Sequence, residues 1–505
     1  MKKSFINHLS PFWNHEKAIP TFMLALACFY WLSKCGSSLS LDETITYWVV
    51  QGGFKNAIYR AVNYQGSGPI HYLIVWLFVQ IGGNSEIVLR LPSIFACILL
   101  CIVLYRFSCK IFDKESAFLG IIVLLCLDGI FVFAVVARSY ALALLLSVGS
   151  TYALYRWTES NERRYKFLYI LLSTLTVYTH CIFAGILLVH FVYLYCHRCW
   201  GKTDSKSWAY EVIKIYLYIA VLVSPEAYQV VLLSTKKNIY SFAPVPTIVD
   251  LIQSWVKPYL ILSFMSAALG TWIVTKNINI KRFTIRLELL VLLLSWYLLP
   301  SFLVFLYSSV SGASIFAGGY YSWGLPALSL LLGKGLSLIK PARSKRILLK
   351  IFVGLMLIYG GIQSPLKENW SSAIAYTQTR INGSNIPVVA YTGLSESRDT
   401  SWVIHPERRK YLLSPFAVYH LDNEPFLLPA IFDQSGAVEY LEKAVFPELR
   451  KVNQFYLILR MTYIVVNKSA VTSDDYLVKQ MELLGFHTRR VESFGHVKVI
   501  FFEKI

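Results

Sequence analysis

The first stretch able to do chemistry is Ser40-Leu41-Asp42-Glu43-Thr44-Ile45-Thr46-Tyr47-Trp48, which follows directly on the first long apolar run of the chain. Adjacent carboxylates at a membrane face are costly unless they are solvated, paired or used. Ser40 and Glu43 have the spacing of a capping box, and acids there complement the positive end of a helix. Asp42 has the chemistry of a general base or an electrostatic anchor at a membrane-surface site. The two readings coexist, because a capped helix is a rigid mount for a catalytic carboxylate. Asp42 and Glu43 are therefore the candidate catalytic residues. Glu226, in Ser224-Pro225-Glu226-Ala227-Tyr228, is a further acid that could act as a second carboxylate. Asp128 sits inside an apolar run, where an ionisable group is a functional candidate by default, although its depth favours a helix-packing hydrogen bond. A divalent-cation site can be drawn between an Asp and a Glu, but no ligand spacing defines it, and no other cofactor is called for. The nine cysteines all fall in the first 200 residues, mostly inside apolar runs, and read as small hydrophobes. Cys196 and Cys199 have CxxC spacing without a second ligand pair, so no metal site is expected there.

These side chains have to be held by the rest of the chain, and its composition says by what. Of 505 residues, 56% are hydrophobic and only 15% charged, where a soluble protein carries about 25% charged residues. Single soluble cores stop growing at roughly 250–300 residues. A purely soluble enzyme, a disordered chain and a secreted disulfide scaffold are excluded, and a polytopic α-helical membrane protein is expected. A spanning helix needs about 20 mostly apolar residues. Eleven runs qualify, near 18–34, 91–108, 116–136, 139–157, 167–181, 182–198, 214–233, 258–275, 287–308, 322–339 and 347–363. The first carries no small-residue cleavage site and reads as an uncleaved span. The run 69–83 is apolar but short, and reads as a helix in the outer interface.

The net charge of +19 raises the question of nucleic acid, and the position of the charge answers it. With the N-terminus inside, the cytoplasmic segments hold 23 Lys and Arg, against 8 in the outer loops before residue 364. That is the positive-inside pattern, so the basic excess reports orientation and no nucleic-acid partner is expected. Making 69–83 a full span would put Arg106, Lys110 and Lys114 outside. The odd number of spans divides the chain into a membrane domain, 1–363, and an extracytoplasmic domain, 364–505. The tail has 16 basic and 15 acidic residues and no cysteine, a soluble balance without disulfides. Its β-like runs (Ile386–Tyr391, Phe455–Val466 and His496–Phe502) and helix-like runs around Val438–Ala444 and Asp474–Leu484 suggest a small α/β domain.

Asp42-Glu43 just after the first span resembles the acidic motif of the GT-C superfamily of integral-membrane glycosyltransferases. Later segments resemble that superfamily in the same order. Asn63-Tyr64-Gln65-Gly66-Ser67-Gly68-Pro69-Ile70-His71-Tyr72 stands where it often has a Pro-Pro-Leu-Tyr-Tyr-like motif. Ser85-Glu86-Ile87-Val88-Leu89-Arg90-Leu91-Pro92-Ser93 resembles its Arg-Leu-Pro-Ser segment, Ala137-Arg138-Ser139-Tyr140-Ala141-Leu142 its Ala-Arg-x-Tyr-x-Leu segment, and Thr179-His180 a Thr-His pair at an outer helix end. The plan, many spans followed by an outer α/β tail, is similar to that of lipid A aminoarabinose transferases, and also to protein O-mannosyltransferases. The likeness covers residues 18–200 by motif and the remainder by layout.

The resemblance implies a glycosyltransferase that moves a sugar from a polyprenyl-phosphate carrier to an acceptor at the outer face, with inversion at the anomeric carbon and Asp42 acting on the acceptor nucleophile. A departing lipid phosphate needs fixed cations, and Arg suits it through paired hydrogen bonds. Arg138 and Arg90 are the outer arginines nearest the motifs; Lys55, Arg60, Lys236, Lys237 and Lys257 are further cations, with Lys236-Lys237 reading as a solvated pair. Arg138 also suits a snorkelling helix-end anchor. His71 and His180 could meet phosphate or acceptor, or simply satisfy helix ends. Tyr64, Tyr72, Tyr140, Tyr320, Tyr321 and Trp323 could stack on sugar rings or belong to the interfacial aromatic belt. Two departures stand out: the stretch Arg138-Ser139-Tyr140-Ala141 lacks the acid of the aminoarabinose transferases, and Gly318-Gly319-Tyr320-Tyr321 lacks an Arg that many relatives have before the Tyr.

The acceptor expected is a glycolipid such as lipid A, O-antigen or another surface polysaccharide. The setting is a bacterial cytoplasmic membrane, with the site and tail facing the periplasm or exterior; the sequons at Asn369, Asn382 and Asn467 leave an ER home open. The alternatives are a protein O-glycosyltransferase and a lipid or glycan flippase. A transporter would place charges mid-membrane in paired halves, whereas here the acids gather at the outer end and no repeat is visible.

Overall fold

The computed structural model describes residues 15–200, 206–235, 243–361, 368–432, 435–466 and 469–504. Lys236, Lys237 and Asn467 lie outside the described residues. The protein is a multi-pass helical membrane protein. Its chain begins with α1 (His15–Lys34), then turns into three short helices, α2 (Leu41–Val50), α3 (Phe54–Tyr64) and α4 (Pro69–Gly82). Each has its own start signal: Ser40 caps α2, a positive-φ Gly53 precedes α3, and Pro69 opens α4. The membrane body follows as α5 (Glu86–Ile111), α6 (Lys114–Cys126), α7 (Asp128–Val135), α8 (Tyr140–Ser160), α9 (Arg163–Thr179), α10 (Ile186–Trp200), α11 (Lys206–Val223), α12 (Glu226–Thr235), α13 (Ile248–Trp255), α14 (Pro258–Thr275), α15 (Leu287–Ser311), α16 (Gly318–Tyr321), α17 (Leu325–Ser337) and α18 (Ala342–Met356).

Among the described residues, four helical stretches are long and apolar enough to cross a membrane: Glu86–Ile111, Cys181–Trp200, Pro258–Thr275 and Leu287–Ser311. Two bent pairs make six, one breaking by 69° between α6 and α7 and the other by 65° between α11 and α12. Several of the other expected runs are bent or shorter than a straight span. Pro225 cannot continue α11, and the chain turns there. Asp128 and Gly129 open a new helix, so the apolar run 116–136 is not one straight rod. The middle helices carry polar residues that their neighbours satisfy, as where Thr151 Oγ1 of α8 lies 2.9 Å from His190 Nε2 of α10. The helices also approach closely: a Cβ on Gly333 of α17 would lie 2.4 Å from the Gly120 nitrogen of α6, the small-residue contact on which membrane helices pack.

A two-stranded ladder, β1 (Asn279–Ile280) with β2 (Ile339–Lys340), ties the α14–α15 connection to the end of α17. Beyond α18 lie α19 (Trp370–Ile381), β3 (Val388–Tyr391), α20 (Pro406–Leu412), α21 (Ser414–Tyr419), β4 (Phe426–Leu427), α22 (Ser435–Tyr440), α23 (Phe446–Arg450), β5 (Gln454–Arg460), β6 (Tyr463–Val466), β7 (Ser469–Thr472), α24 (Ser473–Leu483), β8 (Phe486–Phe494) and β9 (Val497–Lys504). Five strands form a sheet of order β4-β3-β5-β9-β8, with β3 parallel to β4 and β5, and β9 antiparallel to β5 and β8. The β-like run Phe455–Val466 is two strands. The Met461 N–H donates to the His496 carbonyl (2.7 Å), and β6 then leaves the sheet to pair with β7. β8 escapes sequence reading because an edge strand facing solvent along most of its length shows no apolar alternation; its His487, Arg489 and Arg490 also guard that edge.

The core of this region does not stop at its own elements. Leu41, Ile45, Trp48 and Val49 of α2 share one buried cluster with Trp370, Tyr411, Phe416 and the sheet residues Val388, Leu457 and Ile500. The helix that carries Asp42 is thus sandwiched between the membrane helices and the C-terminal region. The loop before α4 is equally constrained. A Cβ on Gly68 would stand 2.0 Å from the Tyr178 carbonyl oxygen, so two backbones touch and neither is free to yield. Gly68→Ala is expected to lower the melting temperature of the detergent-solubilised protein, at a cost on the order of 1–3 kcal/mol; an unchanged melting curve would refute that contact.

Candidate active site

Helix α2 is fixed on every side. Ser40 N–H and Oγ–H both donate to Glu43 Oε2 (3.0 Å each), closing the cap seen in the sequence. The Leu41 N–H donates to Glu368 Oε2 of the C-terminal region (2.7 Å), and Thr44 Oγ1 meets Ser414 Oγ at 3.0 Å. On the membrane side, Ala137 is gripped by both its backbone groups. Its N–H donates to Glu43 Oε1 (2.9 Å), and its carbonyl accepts from Thr46 Oγ1 (2.8 Å). Glu43 and Thr46 are one helical turn apart, so they hold the loop between α7 and α8 against α2. Ser93 Oγ, donating to the Val136 carbonyl at 2.8 Å, holds it from the other side. This bracket sets Asp42 and Arg138 next to each other.

Glu43 and Arg90 stand in the sequence as a catalytic acid and a substrate-binding cation; the structure commits them to each other. Arg90 Nε and Nη2 donate to Glu43 Oε1 and Oε2 at 2.7 and 2.8 Å, with both side chains fully buried. The remaining Arg90 N–H groups go to the carbonyls of Cys35 (2.8 Å), Ser37 (2.7 Å) and Ser38 (3.1 Å). A guanidinium has five N–H donors, and all are used here. Glu43 accepts from Arg90, Ser40 and Ala137 together and has no lone pair left for a substrate. The pair builds the corner between α1 and α2 and orients the residue beside it.

Asp42 and Arg138 are in the opposite condition. The Asp42 side chain is exposed and makes no hydrogen bond or ion pair among the described residues. Among the described residues the Arg138 side chain makes only a contact with Tyr140 and two long ones, 3.4 Å from Nη1 to the Asp42 carbonyl and 3.4 Å to Gln65 Oε1. Burial works against its charge, yet the Asp42 carboxylate and the hydroxyls of Tyr72, Tyr140 and Tyr320 more than offset that and hold its pKa above the ordinary arginine value. Aromatic groups surround the pair. Tyr140 lies 5.4 Å from His180 and 6.4 Å from Tyr320, and His180 is 5.7 Å from Tyr320. The Tyr72 hydroxyl is held by Ser67 (3.0 Å) and Gln65 Oε1 (3.1 Å). His71 and His180 are buried, with His71 Nε2 and His180 Nδ1 unpartnered among the described residues. Burial first, and Arg138 second, push the His71 pKa down to about 3, so its imidazole is neutral and offers a hydrogen bond without charge. A free carboxylate, an under-used guanidinium and neutral imidazoles can together activate a hydroxyl and receive a phosphate.

The other expected contacts divide. Lys55 is exposed at the start of α3 and has no partner among the described residues. Arg60 is spent on structure: it stacks over Trp48 (4.3 Å) and donates to the carbonyls of Trp48 (2.6 Å) and Gln51 (2.8 Å) and to Glu407 Oε2 (2.9 Å). Glu226 begins α12, is buried, and has its Oε2 unpartnered; Tyr178 and Cys181 are its electrostatic neighbours. Among the described residues, no three His, Cys, Asp or Glu side chains gather as a metal-binding group.

A family model described as dolichyl-phosphate-mannose-protein mannosyltransferase matches residues 66–228. The whole chain superposes on crystal structures of ArnT from Cupriavidus metallidurans. The apo form aligns at a TM-score of 0.54 and 12% identity, and the form bound to undecaprenyl phosphate at 0.56 and 10%; each alignment covers 96% of this chain and 97% of the other. The chain has the GT-C fold. No curated protein sequence matches it. Sequence reasoning overlooks three residues at the site. Gln65 bridges Arg138 and Tyr72, and its place in the Asn63–Tyr72 motif was the available signal. Glu368 caps α2, and Glu396 feels the Asp42 charge; both come from the tail, where no local pattern marks them.

Proposed function

We propose that the protein transfers a sugar from a polyprenyl-phosphate carrier to a glycolipid or surface-polysaccharide acceptor at the outer face of a bacterial cytoplasmic membrane. The observation that carries this is the pairing of an unbonded, solvent-facing Asp42 with an Arg138 whose donors are largely unused, on two segments locked together through Ala137. Asp42 takes the proton from the acceptor hydroxyl. The acceptor oxygen forms its bond to the anomeric carbon as the bond from that carbon to the phosphate oxygen breaks, with inversion. Arg138 receives the charge of the leaving phosphate, and polyprenyl phosphate departs; the undecaprenyl phosphate bound to ArnT supports that class of carrier. Eleven spans, a membrane domain over 1–363 and an extracytoplasmic domain over 364–505 complete the reading. A protein acceptor is a second reading, favoured by the description of the matching family model.

The test uses purified protein in vesicles with polyprenyl-phosphate-linked sugars, following release of polyprenyl phosphate. Arg138→Gln is expected to raise the carrier KM and lower kcat/KM by about 10–100-fold, the loss of one or two charge-assisted hydrogen bonds. Arg60→Gln should leave the carrier KM unchanged. Equal effects of the two variants, or no carrier release by wild-type protein with any sugar supplied, would sink the assignment.

A further inference from the structure

We infer that Gln229, on α12, is a positioning residue for the carrier phosphate: it clamps the loop 65–68, and through Gln65 it keeps Arg138 aimed at the substrate and off Asp42. The inference rests on the glycosyl-transfer reading above. Nothing local marks Gln229, a lone amide among apolar residues. The turn at Pro225 gives it a role. It breaks α12 from α11 by 65°, and α12 then presents Tyr228, Val230 and Val231 outward while Gln229 is buried. The amide meets the C-terminal end of α3. Its Nε2 donates to the Gln65 carbonyl (2.9 Å) and the Ala61 carbonyl (3.2 Å), with the Ser67 carbonyl at 3.3 Å and the Val62 carbonyl at 3.5 Å. Acceptors converge where only a donor can sit, which fixes the amide in one orientation.

Those carbonyls need outside donors. The last carbonyls of a helix have no partner within it, and residues 65–68 belong to no helix or strand. Side chains from later in the chain supply the donors: Gln229 for Gln65 and Ser67, and Cys181 Sγ for the Gly66 carbonyl at 3.5 Å. The side chains of the loop then reach the site. Ser67 Oγ and Gln65 Oε1 meet the Tyr72 hydroxyl, and Gln65 Oε1 also lies 3.4 Å from Arg138 Nη1. A contact of that length aims a guanidinium without consuming its donors. The Asp42 carboxylate is the opposite charge acting most strongly on Arg138. An Arg138 released by Gln65 is drawn into a paired salt bridge with Asp42, which withdraws the phosphate receptor and the base together.

The test titrates purified full-length protein in detergent with undecaprenyl phosphate and with undecaprenol, which lacks the phosphate. Wild type should bind the phosphate about tenfold more tightly or better, the contribution of charge-assisted hydrogen bonds. Gln229→Met, similar in length but without a donor, should weaken the phosphate about tenfold and leave undecaprenol within about twofold. A variant that merely loosened the fold would weaken both lipids. Gln229→Asn keeps the donors but retracts them; it should show a smaller loss, and it decides the matter if the methionine variant does not fold. Gln65→Met should weaken the phosphate by the same factor as Gln229→Met, and the double variant should be no weaker than either single one, because both act through one contact. Unchanged phosphate affinity in the folded Gln229 variants, equal losses for the two lipids, or a double variant weakened roughly a hundredfold overturns the inference. The glycosyl-transfer reading fails separately. If wild type binds the two lipids equally, the carrier site is gone and the inference goes with it. If wild type prefers the phosphate and Gln229→Met keeps that preference, the inference falls and the reading stands.

Discussion

Asp42→Asn should cut turnover of the carrier-linked sugar by about 10²–10⁴-fold, the usual contribution of a positioned general base, while leaving the protein folded. The structure makes this substitution an informative one. Asp42 makes no side-chain hydrogen bond or ion pair among the described residues, so replacing one oxygen by an amide removes charge and basicity without orphaning a partner. The bonds that hold α2 belong to Leu41, Glu43, Thr44 and Thr46 and survive the change. Carrier affinity should be retained or slightly raised, because Arg138 loses the nearby carboxylate that competes for it. The defect therefore belongs in kcat, with the carrier KM near wild type. Both readings of the acceptor, glycolipid and protein, require it. The measurement is release of polyprenyl phosphate in vesicles, with intact-glycan mass spectrometry of cells carrying the variant at equal expression. A sugar increment that persists at the wild-type level in the variant ends the proposal for Asp42.

How much of this could be read beforehand follows from what a sequence encodes. The Asp42-Glu43 motif was visible because both the cap and the acid pair are local, and a cap is written within four residues. The outward placement expected for the motif comes from the Lys and Arg distribution, which records topology. The division of labour within the motif was hidden. Which acid is free and which is bound depends on Arg90, on α5, and on Ala137, in the loop between α7 and α8. Arg90 and Arg138 are equally plausible phosphate contacts as text. They differ only in that one has spent five donors and the other almost none, a fact of packing. The number of straight spans is hard to read for a related reason. Hydropathy counts apolar residues without knowing that Pro225 turns the chain, or that Gly120 and Gly333 let two helices sit close enough to bury polar neighbours.

The second large effect is expected at the buried pair. Removing one member of a buried, hydrogen-bonded ion pair costs about 3–5 kcal/mol, because the other charge is left uncompensated. Arg90→Leu should therefore destabilise the protein on that scale and reduce its yield of folded material from the membrane. Lysine is no substitute: an ammonium has three donors where the structure uses five, so Arg90→Lys must abandon some of the carbonyls of Cys35, Ser37 and Ser38 or part of Glu43. Replacing both partners by hydrophobic residues is often neutral in other proteins, but not here. The double change Glu43→Leu with Arg90→Leu would strand those three carbonyls together with the N–H groups of Ser40 and Ala137, and an unmet buried backbone group costs about 1–3 kcal/mol. The double variant should thus melt no higher than Arg90→Leu alone. Any folded Arg90→Lys should also lose kcat, because Ala137 and with it Arg138 are positioned through Glu43. Thermal unfolding of the three purified variants beside wild type decides it. If the double variant recovers wild-type stability, the pair is a simple salt bridge, and its role as the corner that aims Asp42 falls.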